Sequence, residues 1–267
     1  MTDAATRLLC VLGHPVGHSI SPQLHSAAIA AAGLNAVYLA FDVAPEGFTA
    51  AIEGLVALGF LGANVTIPHK AAALAIAETA TEEAEFIGAA NTLYWDADGR
   101  LAADNTDAAG LMAVLGECGV TAGDPVTLFG AGGAARAAAV ALGRIGAAVR
   151  VEARRADAAA DVEALARRAG GQMADDDPPR VVVNATPLGR HGERLPEELM
   201  GLGEGQVALD LNYGPASPFL TEAGRRGAVA VDGIGMLVGQ AEAAFARWTG
   251  QAPPEGVMWA AAAQVGP

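Results

Sequence analysis

Lysine is almost missing from this chain of 267 residues: Lys70 is the only one, and arginine supplies every other fixed cation. Basic residues are few altogether, 16 against 30 acidic ones for a net charge of −14, and they are scattered or in short pairs. That argues against a nucleic-acid partner, because binding a phosphate backbone draws on clustered Lys and Arg. A small anionic ligand must instead be held locally, by hydroxyls, backbone N–H groups and a few chosen cations. Cysteine is scarce too. Cys10 and Cys118 sit among apolar residues and are expected as buried free thiols rather than a disulfide, which fits a reducing compartment. No apolar run approaches the ~20 residues that span a bilayer, and residues 1–7 lack the pattern of a secretion signal. The expectation is a cytoplasmic protein with no membrane partner and no metal site.

What the chain does have is apolar bulk, with 52% hydrophobic and 17% charged residues. That is enough to bury a substantial core in one large or two ordinary domains. Apolar runs of strand length alternate with Ala- and Leu-rich stretches of helical period, which is the α/β rhythm. Strands are expected at 8–12, 36–43, 62–66, 91–95, 126–129, 148–152, 181–185, 207–211 and 229–231. A helix is expected from Pro22 to Ala32, with Ser21 as its N-cap, Pro22 at its first position and Gly33 just past its end. A domain boundary falls near Asp104 to Gly110, and a final helix from Met236 to Trp248 is placed to pack back on the first domain.

The segment PVTLFGAGGAAR (125–136) puts Gly130, Ala131, Gly132, Gly133 and Ala134 directly after an apolar strand and at the mouth of an Ala-rich helix. Without side chains there, backbone N–H groups can approach a pyrophosphate while the helix N-terminus supplies partial positive charge. The pattern is a variant of the dinucleotide fingerprint, with Ala135 at the close-packing position. The next strand ends in VEARR (151–155), where an adenosine ribose belongs. Glu152, about 20 residues past the glycines, can accept the 2'-hydroxyl of NAD; Arg154 and Arg155 can clamp the 2'-phosphate of NADP. A Glu in that strand position usually points away or pairs with a neighbouring Arg, which favours NADP and leaves NAD open.

Two further regions carry polar groups at strand ends. In GHPVGHSISPQLH (13–25), Ser19 and Ser21 would point the same way if the stretch is extended, whereas the plainer reading makes one a turn residue and the other a helix cap. His25 reads as a packed core histidine. NVTIPHK (64–70) ends a strand and reaches Lys70, and GAANT (88–92) and DNTD (104–107) follow with amides and carboxylates. A chain that uses arginine elsewhere and keeps one lysine suggests a task arginine cannot perform, namely proton transfer.

Taken in order, HSISPQLH, NVTIPHK, GAANT, DNTD, GAGGAAR, NATPLG and DGIGMLVGQ resemble the shikimate dehydrogenase family from Gly13 to Gln240. The resemblance implies an N-terminal α/β substrate domain over residues 1–106, with the helix from about 236 to 267 packed back on it. It also implies a Rossmann-type NADP domain over 107–235 and an active site in the cleft between them, where 3-dehydroshikimate is reduced to shikimate. It makes Lys70 and Asp107 the catalytic pair and gives Ser19 and Ser21 the substrate carboxylate. Thr66 and Asn91 take other substrate atoms, and Tyr213 and Gln240 approach from the far side of the cleft. Leu211, Gly233 and Met236 fall near the nicotinamide half of the cofactor, and Asn184 and Thr186 on a loop beside it.

The chain departs from the family at several positions. Ala153-Arg154-Arg155 stands where NADP-using members commonly have Asn-Arg-Thr, and Ala158 replaces a later basic residue. Ala103, Arg190 and Ser217 replace a common glycine, methionine and threonine. Quinate or aminoshikimate as substrate, NAD as cofactor, and a non-catalytic NADP-binding regulator are the alternatives. As ammonium, Lys70 would stabilise the developing alkoxide and donate its proton, oriented by Asp107. A monomer or homodimer is expected.

Overall fold

The computed structural model describes residues 2–264 apart from 176, 190–192, 194–195, 197–200 and 215–216. Two compact units divide the chain, one formed by residues up to Thr106 and from Val238 on, the other by Asp107–Leu237. Arg190 lies outside the described residues.

In the first unit the strands β1 (Arg7–Gly13), β2 (Ala36–Asp42), β3 (Gly62–Val65), β4 (Thr79–Ala80), β5 (Thr92–Trp95) and β6 (Leu101–Asp104) form a sheet in the order β2-β1-β3-β5-β6-β4. β1 runs parallel to β2 and β3, while β5 is antiparallel to both β3 and β6. Its core gathers Cys10, Leu12, Phe48, Ile52, Phe60 and Leu93. The helix Ile234–Thr249 reaches this sheet through Trp248, whose indole Nε1 donates to the Leu93 carbonyl at 2.9 Å. Cys10 and Cys118 are both free thiols, and burial pushes Cys10 up to about 12.

Helix α1 (Ser21–Ala31) ends as its sequence requires: Gly33 has φ +65°, and the N–H groups of Gly33 and Leu34 bond back to Ala30 and Ile29. Its start differs from expectation. Ser21 is the first helical residue, with Ile20 at the cap and no side-chain cap bond, and the Ser19 hydroxyl accepts the Ser21 N–H at 3.3 Å. A hydroxyl two residues back has taken the capping task, so the stretch is a turn and not extended.

Strand β6 was absent from the expected set. LAAD is enclosed along its whole length, so it shows no polar/apolar alternation and resembles the Ala-rich helical segments. The signal lay in the turn: in DADGR (96–100) the Asp96 carboxylate accepts the N–H groups of Asp98 and Arg100 at 3.0 and 2.9 Å, and Gly99 takes φ +75°. An Asp-Gly pair between two short strands is a hairpin mark.

The second unit holds an all-parallel sheet of β7 (Pro125–Phe129), β8 (Ala148–Glu152), β9 (Gln172–Met173), β10 (Val181–Asn184), β11 (Val207–Asp210) and β12 (Val229–Val231), in the order β12-β11-β10-β7-β8-β9. Chain order reverses between β7 and β10, and ligands of such sheets bind outside the strand C-termini at that reversal. Helices α5 (Asp107–Glu117), α6 (Gly133–Ile145) and α7 (Ala156–Arg168) bury Leu111, Leu115, Leu142 and Val162 against it.

His25 is a core residue, as its sequence setting suggested. It is 0% exposed, stacks on Tyr38 with ring centroids 4.2 Å apart, and lies 5.3 Å from the Trp248 ring. Burial pushes its pKa down to about 3, a pull the neighbouring Asn64 amide only partly offsets. The unfolded chain therefore takes up this proton first as pH falls, and stability declines from about pH 6.5 toward 3, by ~2 kcal/mol at pH 5. Replacing His25 with Phe keeps the stack and removes that slope. Urea titrations should show the variant losing ~2 kcal/mol less than wild type between pH 7 and 5; identical losses would contradict the assignment.

Candidate functional site

The mixed sheet collects polar groups at one end. β1 and β3 are parallel neighbours, so their C-termini lie side by side, and the antiparallel register pairs Asn64 with Thr92 and Thr92 with Asp104. The start of β5 thus sits beside the ends of β3 and β6. Gly13 closes this end tightly: a Cβ there would lie 2.4 Å from Thr66 Cγ2. The His14 N–H also bonds to the Ile67 carbonyl at 2.9 Å. The loop bearing Ser19 and Ser21 is in this way tied to the one bearing Thr66 and Lys70.

Asn91 organises the rest. It is 2% exposed, and its carboxamide N–H groups donate to Thr106 Oγ1 at 2.9 Å and Gln240 Oε1 at 3.1 Å. Its Oδ1 accepts the Thr106 N–H at 2.8 Å and the Thr92 hydroxyl at 3.0 Å. All the ordinary donor and acceptor positions of the amide are filled. Thr106 Oγ1 in turn donates to the Gln240 carbonyl at 3.0 Å. Gln240 therefore stands in the same unit as Asn91, which corrects the expectation that it approaches from the opposite side. The physical reason is that its helix is anchored on the first sheet by Trp248.

Lys70 is half-buried and opens α3 (Lys70–Ile76); its carbonyl accepts the Ala90 N–H at 2.9 Å. Residues 90 and 91 thus hold both the Lys70 backbone and Thr106, the residue immediately before Asp107. The two acids of DNTD are told apart by their partners. One Asp104 oxygen accepts from Thr81 Oγ1 at 2.7 Å and from the Asn105 N–H at 2.8 Å, and the other pairs with Arg247. Asp104 is committed to structure. Asp107 is 3% exposed and heads α5, where the helix dipole favours its negative charge. Sequence reasoning passed over Asn64 and Thr106 as site builders. Asn64 accepts from the Tyr38 hydroxyl at 2.7 Å and donates to the Asn91 carbonyl at 3.2 Å; the run of amides at strand ends in an apolar chain was the available signal.

In the second unit, Gly130 has φ +120°, and a Cβ on it would meet the Ala185 carbonyl oxygen at 2.9 Å. It thus sits at the reversal between β7 and β10. Gly132 caps α6 without any side-chain acceptor and has open space where a Cβ would stand. An uncapped helix N-terminus behind a glycine turn fits a pyrophosphate. Ala131, Gly133 and Ala134 complete the turn, half-buried, and Ala135 is enclosed. Asn184 is fully enclosed and braces the neighbouring loop. Its Oδ1 accepts the Thr186 N–H and hydroxyl at 3.1 and 2.7 Å, and its Nδ2 donates to Asp210 at 3.1 Å. Leu211 and Tyr213 follow β11, half-buried, and Met236 packs with Leu211 in the core. Gly233 is required by close approach, since a Cβ would lie 2.4 Å from the Leu211 carbonyl oxygen.

Glu152 at the end of β8, and Arg154 and Arg155 beyond it, are all exposed. Arg155 grips Asp157 through Nε at 3.1 Å and an Nη at 2.8 Å. Glu152 has no arginine partner among the described residues and is exposed, the first of the two alternatives its strand position offered. Asp157, in the first turn of α7, offers Arg155 a two-point contact.

Two family models match the chain: the shikimate dehydrogenase substrate binding domain over residues 11–93 and the shikimate 5'-dehydrogenase C-terminal domain over 233–263. A shikimate dehydrogenase (NADP(+)) of Anaeromyxobacter sp. is 43% identical over 100% of this chain and 99% of its own. The crystal structure of shikimate 5-dehydrogenase from Thermus thermophilus, in complex with NADP(H) and shikimate, superposes with a TM-score of 0.84 at 37% identity, covering 97% of this chain and 100% of that one. The enzyme from Listeria monocytogenes, in complex with shikimate and NAD, gives 0.83 at 28% identity, with 97% of each chain covered.

Gly130→Ala tests the turn. A side chain at that φ, pressed against a carbonyl, should cost about 1–3 kcal/mol of stability and weaken dinucleotide binding. A thermal midpoint and a cofactor affinity both unchanged would rule out the tight turn.

Proposed function

The chain belongs to the shikimate dehydrogenase family, and from that premise we propose that it reduces 3-dehydroshikimate to shikimate with NADPH. The observation that carries the site is the hydrogen-bonded link through Ala90 and Asn91, which ties the Lys70 backbone to the residue joined to Asp107. In this reading residues 1–106 with the C-terminal helices bind substrate and residues 107–235 bind the cofactor. The compartment is the cytoplasm; no helix among the described residues is long and apolar enough to cross a membrane.

Ser19 and Ser21 hold the substrate carboxylate with hydroxyls, which suits a unit whose sole lysine has another task. Thr66 and Tyr213 offer hydroxyls to the ring, and Asn91, its own amide filled, holds the Gln240 carboxamide that faces the substrate. The ammonium of Lys70 sits at the ketone oxygen, stabilises negative charge growing there and delivers the proton. Asp107 orients the ammonium and accepts a bond from a neighbouring substrate hydroxyl. Gly130, Ala131, Gly132, Gly133 and Ala134 hold the pyrophosphate, and Arg154 with Arg155 faces the 2'-phosphate. Leu211, Gly233 and Met236 line the nicotinamide end, and Asn184 acts there by bracing the loop that carries Thr186. Bound in that position, NADPH supplies the hydride.

Lys70→Ala should lower kcat for 3-dehydroshikimate at least ~100-fold with a much smaller change in KM; turnover near wild type would sink the assignment. Arg154→Ala should raise the Kd of NADPH far more than that of NADH, and equal losses would make that arginine merely structural.

A further inference from the structure

Residues 152–157 carry two carboxylates and two guanidiniums, so the segment assigned above to the adenosine end of the cofactor has no net charge. The charges are not equally committed. Arg155, the residue before α7, is held by both oxygens of Asp157 at 3.1 and 2.8 Å. That two-point fork is the geometry a guanidinium uses to grip a phosphate. Asp161, one turn further along α7, adds to the attraction on Arg155. Arg154 makes no hydrogen bond or ion pair among the described residues, and neither does the Glu152 carboxylate. With side chains 74% and 71% exposed, Arg155 and Asp157 form the kind of surface pair that contributes little to a fold. The Asp157 carboxylate also takes a backbone hydrogen bond from Ala158 in the first turn of α7, which keeps it at the helix start.

We propose that Asp157 sets the cofactor preference of this chain: its carboxylate occupies the Arg155 fork as an internal stand-in for the 2'-phosphate. Recognition of that phosphate is thereby left mainly to Arg154. The inference rests on the cofactor placement proposed above. A 2'-phosphate arriving here competes with Asp157 for Arg155 and is repelled by two carboxylates, whereas a 2'-hydroxyl meets neither penalty and can donate to Glu152. The enzyme therefore prefers NADPH only modestly and accepts NADH. Asp157 acts through Arg155 and is a specificity-setting residue, not a catalytic one.

The test is the Kd of NADPH and of NADH, measured by calorimetry on the full chain. Asp157→Ala should tighten NADPH about fivefold, the order expected for removing one unit charge several ångströms from a phosphate in high dielectric, and change NADH less than about twofold. Adding Arg155→Ala to it should erase the gain. NADPH binding that is unchanged or weaker in Asp157→Ala overturns the proposal, because Asp157 would then brace Arg155 for the phosphate; so does a gain that survives in the double variant. Arg154→Ala, run alongside, separates the two claims. If it weakens NADPH selectively while Asp157→Ala does nothing, the placement stands and this inference fails. If it weakens both cofactors alike, the placement fails and takes the inference with it.

Discussion

Asn91 is 2% exposed, and a carboxamide buried there without partners would cost about 1–3 kcal/mol for each unmet group. The surrounding chain meets the demand from three directions: Thr92 at the start of β5, Thr106 after β6, and Gln240 on the helix Ile234–Thr249. Each partner belongs to a separate element, so one amide fixes the relation of strand, loop and returning helix. Because Asn91 accepts the N–H of Thr106 and its neighbour Ala90 donates to Lys70, the same constraint sets two backbones that the proposed chemistry needs. A polar network this enclosed specifies a single arrangement; partly satisfied, it would be costly.

The second unit solves a different problem, that of presenting backbone rather than side chain. Reversal of strand order between β7 and β10 leaves a gap above their C-termini, and Gly130 fills it with no Cβ to strike the Ala185 carbonyl. The N-terminus of α6 is left without a side-chain cap. In the proposed function its free donors serve as the anion site, so a feature that leaves the helix uncapped would also serve binding. The first unit's proposed site is made from side-chain amides and hydroxyls, the second's from peptide groups.

Much of this was legible in the sequence. β7, the glycine turn and α6 stand out because an apolar strand, three glycines and an Ala-rich helix agree locally, and Lys70 stands out by being alone. β6 did not, because burial on both faces erases the alternation that marks a strand, and only its Asp-Gly turn carried information. The helix start at Ser21 misled for a related reason: a serine before a proline looks like a cap, yet the hydroxyl of Ser19 was better placed to take the N–H. The return of the last helix to the first unit was legible, but the far-side place of Gln240 was carried over from the resemblance without being set against that return, and its bond to Asn91 puts it in the first unit. The Arg155–Asp157 pair depends on side-chain geometry that charge patterning leaves open.

The central claim is that the chain keeps one lysine because a proton must be delivered at that position, a task for which arginine's pKa is too high. Lys70→Arg preserves the charge and most of the reach, and single-turnover reduction of 3-dehydroshikimate with NADPH isolates the chemical step. The account predicts that shikimate still binds with an affinity within a few-fold of wild type while the chemical step slows at least ~100-fold. A single-turnover rate close to wild type would contradict it, since charge alone would then suffice at residue 70.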